Sequence, residues 1–307
     1  MKAIVYEKYG PPEVLQIKDV KKPLPQNNEI LVKVKDSSVS AGVLWIRKGE
    51  HPDSKFFTFM IRLMFGLKKP KIPILGYEFS GEVESVGDNV KTFKSGDKIF
   101  GTTTGLKQGA YAEYLCIPEK PNQGVVSLMP ENLSFEEASA IPIGSMAALD
   151  ILKKADIKKG ERILIYGASG SVGTYAVQLA KYFGAEVTGV CSSKNIELIK
   201  SIGADYIIDY KKTDISNVVQ KYDVIFDAVG KISKPVCKKI MNKNSRYITI
   251  KSITNEKTEY LDFLKDLIKN GEIKPVIDRI YSFEDIVDAH GYADTGHKIG
   301  NVVIKMY

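Results

Sequence analysis

The run Ile163-Leu164-Ile165-Tyr166-Gly167-Ala168-Ser169-Gly170-Ser171-Val172-Gly173 carries the chain from an apolar β-run through a glycine-punctuated turn toward a helix. Such a turn needs glycine where the backbone is tight, where it closes on a pyrophosphate, and where helix packs on strand. Gly167, Gly170 and Gly173 fill those three positions. The helix expected from Thr174 to Phe183 would aim its N-terminal N–H groups and positive dipole end at phosphate. The pattern reads as a dinucleotide site with Gly167, Ala168, Ser169, Gly170, Ser171, Val172 and Gly173 as candidate contacts; an ordinary strand-to-helix turn is the plainer alternative.

A second run, Glu186-Val187-Thr188-Gly189-Val190-Cys191, ends where an NAD-preferring site presents a carboxylate to the ribose hydroxyls. Here stand Ser192, Ser193 and Lys194. Two hydroxyls and an ammonium can bond and neutralise a 2′-phosphate that a carboxylate would repel, so NADPH is the expected cofactor. A solvated lysine at a helix start is the competing reading of Lys194. Tyr210, after Ile207-Ile208-Asp209, is placed over the adenine–ribose end, or else packs at a sheet edge.

A chain of 307 residues, 44% hydrophobic and 26% charged, is long enough for two domains with separate cores. The net charge of +7 does not argue for nucleic acid, because Lys and Arg are interspersed with acidic residues. The densest cluster, Lys68-Lys69-Pro70-Lys71, reads as a solvated loop. Cys116, Cys191 and Cys237 show no CxxC and no Cys/His ligand spacing, so buried, reduced thiols are expected. Met1-Lys2-Ala3-Ile4-Val5-Tyr6 soon meets Glu7 and Lys8, and no apolar stretch is long enough to span a bilayer. The expectation is a cytoplasmic protein without a membrane partner.

From Lys2 to Pro118 short β-like runs dominate: Ala3–Tyr6, Glu29–Val39, Phe79–Val86, Asp97–Thr102 and Ala110–Ile117, broken by Gly and Pro turns. They suggest an antiparallel, barrel-like unit. From Ser134 onward helical and strand patterns alternate, as in a parallel sheet covered on both faces. Pro142 should start a new helix or kink the one running from Phe135 to Ala155. After Asn255, helices over Tyr260–Lys269 and Phe283–Tyr292 and a strand over Asn301–Lys305 should return to the first unit. The expected arrangement is a nucleotide domain over 119–258 inserted in a discontinuous domain, 1–118 and 259–307, with ligand in the cleft.

Many short motifs then stand in one family's order. They include Met1-Lys2-Ala3-Ile4-Val5 with Tyr9-Gly10-Pro11-Pro12-Glu13-Val14-Leu15, then Gly76-Tyr77-Glu78-Phe79-Ser80-Gly81, Gly96-Asp97-Lys98-Ile99-Phe100 and Gly109-Ala110-Tyr111-Ala112-Glu113-Tyr114. Downstream come the glycine turn, Asp227-Ala228-Val229-Gly230, Ile273-Lys274-Pro275-Val276-Ile277-Asp278 and Gly296-His297-Lys298-Ile299-Gly300-Asn301. Over nearly its whole length the chain resembles the medium-chain dehydrogenase/reductase superfamily, in its zinc-independent quinone oxidoreductase-like branch.

The resemblance implies a GroES-like β-barrel catalytic domain plus a Rossmann doubly wound parallel-sheet domain. It also implies NADPH-dependent reduction of quinones, enones or enals by hydride transfer, with Val229, Lys298 and Asn301 as further cofactor contacts. Zinc-using relatives have His at the place of Tyr77 and cysteines near Ser40, so no metal site is expected. Tyr77 is a candidate to supply a proton or hydrogen bond to a substrate carbonyl, against a barrel-packing role. Trp45 falls where quinone-reducing relatives place a tyrosine beside the substrate, though a core role is equally open; Ser40 replaces their asparagine and Val43 their aspartate. Ala147 stands where relatives carry a threonine near the nicotinamide. Glu78 is expected to brace the site through hydrogen bonds. His51, His290 and His297 are read as structural or solvated.

Two further segments stand out, the first by composition and the second by departing from the family's shape. His51 to Lys71, rich in Phe, Met and Leu, is too apolar for a solvated loop and reads as a substrate-covering helix or a packing helix. Lys251 to Thr258 is all that remains of a stretch that in relatives joins two subunits edge to edge, so a monomer or weak homodimer is expected, with Lys251, Glu256 and Lys257 covering the sheet edge. The alternative to a reductase is a cofactor-binding sensor of the same fold with little turnover.

Overall fold

Glu29–Ser38 and Glu78–Val86 are runs buried over most of their length, and they form strands that pair antiparallel. The computed structural model describes residues 1–104 and 109–306. β1 (Lys2–Val5) and β2 (Gln16–Asp19) form a small antiparallel ribbon. β3 (Glu29–Ser38) leads to helices α1 (Ala41–Lys48) and α2 (Lys55–Phe65), then β4 (Glu78–Val86), β5 (Lys98–Thr102), β6 (Tyr114–Pro118), β7 (Val125–Leu128) and the short helix α3 (Phe135–Ser139). α3 starts with a capping box, Ser134 and Glu137 exchanging side-chain and backbone bonds. Pro142 is the first residue of a separate helix, α4 (Pro142–Ala155), where its missing N–H costs nothing.

The next elements are β8 (Arg162–Tyr166), α5 (Ser171–Tyr182), β9 (Glu186–Cys191), α6 (Ile196–Ser201), β10 (Tyr206–Asp209), β11 (Tyr222–Asp227), α7 (Lys234–Ile240), β12 (Met241–Thr249) and α8 (Thr258–Lys269). The strands form a five-stranded, all-parallel sheet of order β10-β9-β8-β11-β12. Leu164, Val190 and Ile225 share a core with Cys237 and Ile240 of α7. Their neighbours Ile163, Ile165, Val224 and Phe226 point to the other face and are also fully buried. A sheet buried on both sides with its order reversing between β8 and β11 is a doubly wound one.

β13 (Ile277–Tyr281), α9 (Ile286–Asp294) and β14 (Asn301–Lys305) then complete the first sheet, whose order is β13-β14-β3-β4-β5-β7 with β6 on β3. Its interior gathers Ile30, Val32, Phe79, Ile99, Tyr111 and Val302.

The two compact units are Met1–Ile143 with Ile277–Tyr307, and Gly144–Val276. These limits correct the sequence-read ones at 118/119 and 258/259. Val125–Leu128 pairs with β5, and α3 packs on β3 and β4. Both therefore stay with the first unit. α8 stays with the second, where Phe263 meets Tyr182 of α5 edge to face and Lys153 of α4 lies over the Tyr260 ring. β12 is an edge strand, but the segment after it folds back on α4 rather than along that edge. Asn255 N–H donates to Asp150, and Lys154 Nζ donates to the Ile253 carbonyl at 2.7 Å.

Candidate active site

In the second unit the turn after β8 is held by the end of β9: the N–H groups of Gly167 and Ala168 both donate to the Val190 carbonyl, at 3.2 and 3.1 Å. Gly167 has φ +80°, and a Cβ there would lie 2.4 Å from Val229 Cγ2. At Gly173 an added Cβ would lie 2.1 Å from the Gly167 carbonyl oxygen. Gly170 is different, since a Cβ there would meet only that same oxygen at 3.5 Å. Two of the three glycines are thus required by packing, and the third fronts open space at the N-cap of α5, a helix with no acidic residue in its first turn. The helix starts at Ser171, three residues before the sequence-read start, which brings Ser171, Val172 and Gly173 into its first turn. Buried Asp227 organises the neighbouring loop by accepting from the N–H groups of Val229, Gly230 and Ile232.

Ser192, Ser193 and Lys194 follow β9 as expected, with Ser192 buried and the other two exposed. The Ser193 hydroxyl, however, donates to Asp209 Oδ2 at 2.5 Å. A carboxylate therefore does stand beside this patch, supplied by β10 rather than β9, which amends the sequence reading. That bond from Ser193, helped by the Lys211 N–H and by the charges of Lys212 and Lys211, holds the Asp209 carboxyl below the usual range. Exposed Tyr210 lines a cavity of about 300 Å³ with Tyr166, Lys211, Lys212, Thr213 and Asp214. Sequence reasoning also missed Asn195, whose buried Oδ1 has no hydrogen-bond partner. A turn fronting open space and a cationic rim fit the phosphates of a dinucleotide, and the orphaned acceptor of Asn195 fits one of its hydroxyl or amino donors.

In the first unit Ser40 is the N-cap of α1, yet its buried Oγ makes no capping bond and has no partner. Tyr77 is buried in the barrel core, and a Cβ at Gly42 on α1 would lie 3.6 Å from its ring. Trp45 is half-buried and tilts against the His51 ring at 4.6 Å, so it is not a core residue. Buried Glu78 does brace the site: its carboxylate accepts from the Ser38 hydroxyl and from the Ile143 N–H at 2.8 Å. The Val39 N–H donates to the Val302 carbonyl, which sets Ser40 beside the start of β14 and hence beside Asn301. Lys298 is half-buried and donates to the Gly300 carbonyl at 2.8 Å. Burial lowers its pKa, against the opposing pull of Glu78 and Asp278. Ser40, Tyr77, Glu78, Lys298 and Asn301 thus belong to one end of the first unit, whereas the glycine turn, Ser192–Lys194, Tyr210 and Val229 belong to the second.

His290 is structural. Arg47, fully buried, donates Nη1–H to His290 Nδ1 at 3.1 Å and Nη2–H to Asp294 at 2.5 Å. Because a guanidinium only donates, the proton of His290 sits on Nε2, facing the Tyr111 hydroxyl, which in turn donates to the Ser38 carbonyl. Burial and Arg47 push the pKa of His290 well down, so the ring stays neutral. Among the described residues no group of three or more His, Cys, Asp or Glu is placed to hold a metal ion.

The Alcohol dehydrogenase GroES-like domain family matches residues 26–130, and the Zinc-binding dehydrogenase family matches residues 171–278. The 2-methylene-furan-3-one reductase of Solanum lycopersicum is 34% identical, with 99% of this chain and 79% of the relative covered. The chain belongs to the medium-chain dehydrogenase/reductase superfamily. Another superfamily member, the chloroplastic NADPH-dependent alkenal/one oxidoreductase of Arabidopsis thaliana, is 30% identical over the same shares. Among solved structures of the superfamily, the quinone oxidoreductase from Coxiella burnetii superposes with a TM-score of 0.84 at 29% identity, 99% of each chain being covered.

Proposed function

We propose that this superfamily member is an NADPH-dependent oxidoreductase that reduces quinones or α,β-unsaturated carbonyls without zinc. The observation that carries the reading is the cationic, hydroxyl-rich patch Ser192–Lys194 at the end of β9, next to a glycine turn whose middle glycine fronts open space. The names of the tomato, Arabidopsis and Coxiella relatives support the same reaction class.

The turn from Gly167 to Gly173 and the first turn of α5 would hold the pyrophosphate, Ser192, Ser193 and Lys194 the 2′-phosphate, and Tyr210 the adenosine end. Val229, Lys298 and Asn301 complete the set of proposed contacts. When bound, the reduced nicotinamide supplies a hydride for an electron-poor carbon. On the substrate side, the Ser40 hydroxyl has a buried proton to donate to a carbonyl oxygen, with Tyr77 and Trp45 as the adjoining walls. Hydroxyls and a phenol are poor zinc ligands beside imidazole and thiolate. A conjugated carbonyl or quinone needs no Lewis acid of that strength, because its own conjugation spreads the incoming charge. The edge strand β12 and the short segment after it support a monomer or weak homodimer, which light scattering at micromolar concentration measures.

Loss of NADPH absorbance with a small panel of enals, enones and quinones tests the reading. Turnover with at least one class, faster with NADPH than with NADH, is expected; tight NADPH binding with no turnover on any member would assign the chain to cofactor sensing instead.

A further inference from the structure

Helix α2 turns an apolar side outward. Phe56, Phe59 and Leu63 recur at helical spacing on one arc, with Met60 and Met64 alongside. Phe56 is 67% and Phe59 57% exposed, and Phe57, Leu63 and Met64 are exposed as well. The opposite side is fixed in place. Ile61 and Phe65 pack into the core of the first unit. Arg62 Nε donates to the Gly49 carbonyl at 2.8 Å, and its guanidinium lies 4.1 Å from the Tyr9 ring. The N-terminus is capped by Ser54, which accepts from the Phe57 N–H. Outward-facing rings on a capped, anchored helix are not a frayed end. Leu67, also exposed, carries the patch past the helix into Lys68, Lys69 and Lys71. From Ser54 to Tyr77 the cationic residues are Lys55, Arg62, Lys68, Lys69 and Lys71, and there is no Asp or Glu.

A patch of this make-up on a folded chain marks an interaction surface. We propose that α2 and the lysines after it dock the protein on an anionic lipid surface, with the phenyl rings at the acyl–headgroup boundary and the ammonium groups among the phosphates. Charge decides between occupants. A second copy pairing about a two-fold axis would set one lysine-rich segment, Lys68, Lys69 and Lys71, against another. An anionic bilayer complements both the rings and the lysines. No helix among the described residues is long and apolar enough to cross a membrane; lying in the interface does not require one. The expectation of no membrane partner came from the polar start of the chain and the lack of a spanning stretch, and neither bears on a helix that lies in the interface.

Flotation of the full chain with mixed phosphatidylglycerol/phosphatidylcholine vesicles and with pure phosphatidylcholine vesicles tests the proposal. The protein should float with the anionic vesicles at low salt and remain behind with the neutral ones. Both Phe56→Ser/Phe59→Ser/Leu63→Ser and Lys68→Glu/Lys69→Glu should weaken vesicle binding about tenfold without lowering the melting temperature. Failure to float with anionic vesicles, or equal flotation of the parent and both variants, would overturn it. So would a concentration-dependent dimer that the Phe variant abolishes in a protein that binds no vesicles, since the patch would then belong to a second copy.

Discussion

Ser193 and Asp209 meet where the 2′ position of the ribose is proposed to lie, and their hydrogen bond sets the balance between the two coenzymes. The carboxylate accepts the hydrogen bond of the Ser193 hydroxyl and sets a negative charge near any 2′-phosphate, while Lys194, Lys211 and Lys212 supply the opposing charge. Lys194→Ala should weaken NADPH binding about tenfold or more and leave NADH within about twofold, because a charge-assisted bond to phosphate is lost in one case only. Asp209→Asn should shift the preference the other way, toward NADPH. Calorimetric titration of both variants with both coenzymes measures this, and equal losses for NADPH and NADH in Lys194→Ala would refute the phosphate assignment. Asp36, buried in β3 with an unpartnered Oδ1, governs stability instead. Burial, with the Glu136 charge in support and Lys305 opposing, raises its pKa from 3.8 to about 7. Between those values the native state keeps a proton that the unfolded chain has released, so stability falls as pH rises through the window and levels off above it. Asp36→Asn should flatten that slope and be more stable than the parent by on the order of 1–3 kcal/mol near pH 8. Urea melts near pH 5 and pH 8 check it; the same slope in both proteins would contradict the assignment.

At the scale of single elements, the β8–turn–α5 unit separates the glycines that the fold needs from the one that the ligand needs. Gly173→Ala would drive a Cβ to 2.1 Å from the Gly167 carbonyl oxygen, which should destabilise the second unit by about 1–3 kcal/mol and abolish NADPH binding. Gly170→Ala meets no comparable obstacle and should melt like the parent while losing cofactor affinity. Thermal melts and NADPH titrations of the two variants distinguish these roles, and parent-like melting of Gly173→Ala would show that the turn relaxes. This unit was legible in sequence because its signal is local: apolar run, glycine spacing and helix follow one another within Ile163–Tyr182. β7 and β13 were not, since they are short and their partners, β5 and β14, are set by tertiary pairing. Asp209 escaped for a related reason. Its carboxylate reaches Ser193 only because β10 lies parallel to β9 in the sheet. The outward face of α2 was equally hidden, because a 3.6-residue period marks an apolar stripe without saying which way it points.

For the whole molecule, the sequence pattern implied the order of construction: a sheet-rich unit interrupted by a doubly wound one and then resumed. The exact limits moved to Ile143/Gly144 and Val276/Ile277 because strand pairing, not composition, sets them. Family membership accounts for both units together, and the glycine turn and the Ser40–Tyr77–Glu78 cluster give each unit its own part in the proposed reduction. The central claim is that the chain moves a hydride from NADPH to the electron-poor carbon of a conjugated substrate. NADPH deuterated at the transferring C4 position, incubated with the full-length chain and an enone, tests it most directly. The account predicts one deuterium at the β-carbon of the saturated ketone by mass spectrometry and NMR; unlabelled product, or no consumption of NADPH across enones, enals and quinones, would contradict it.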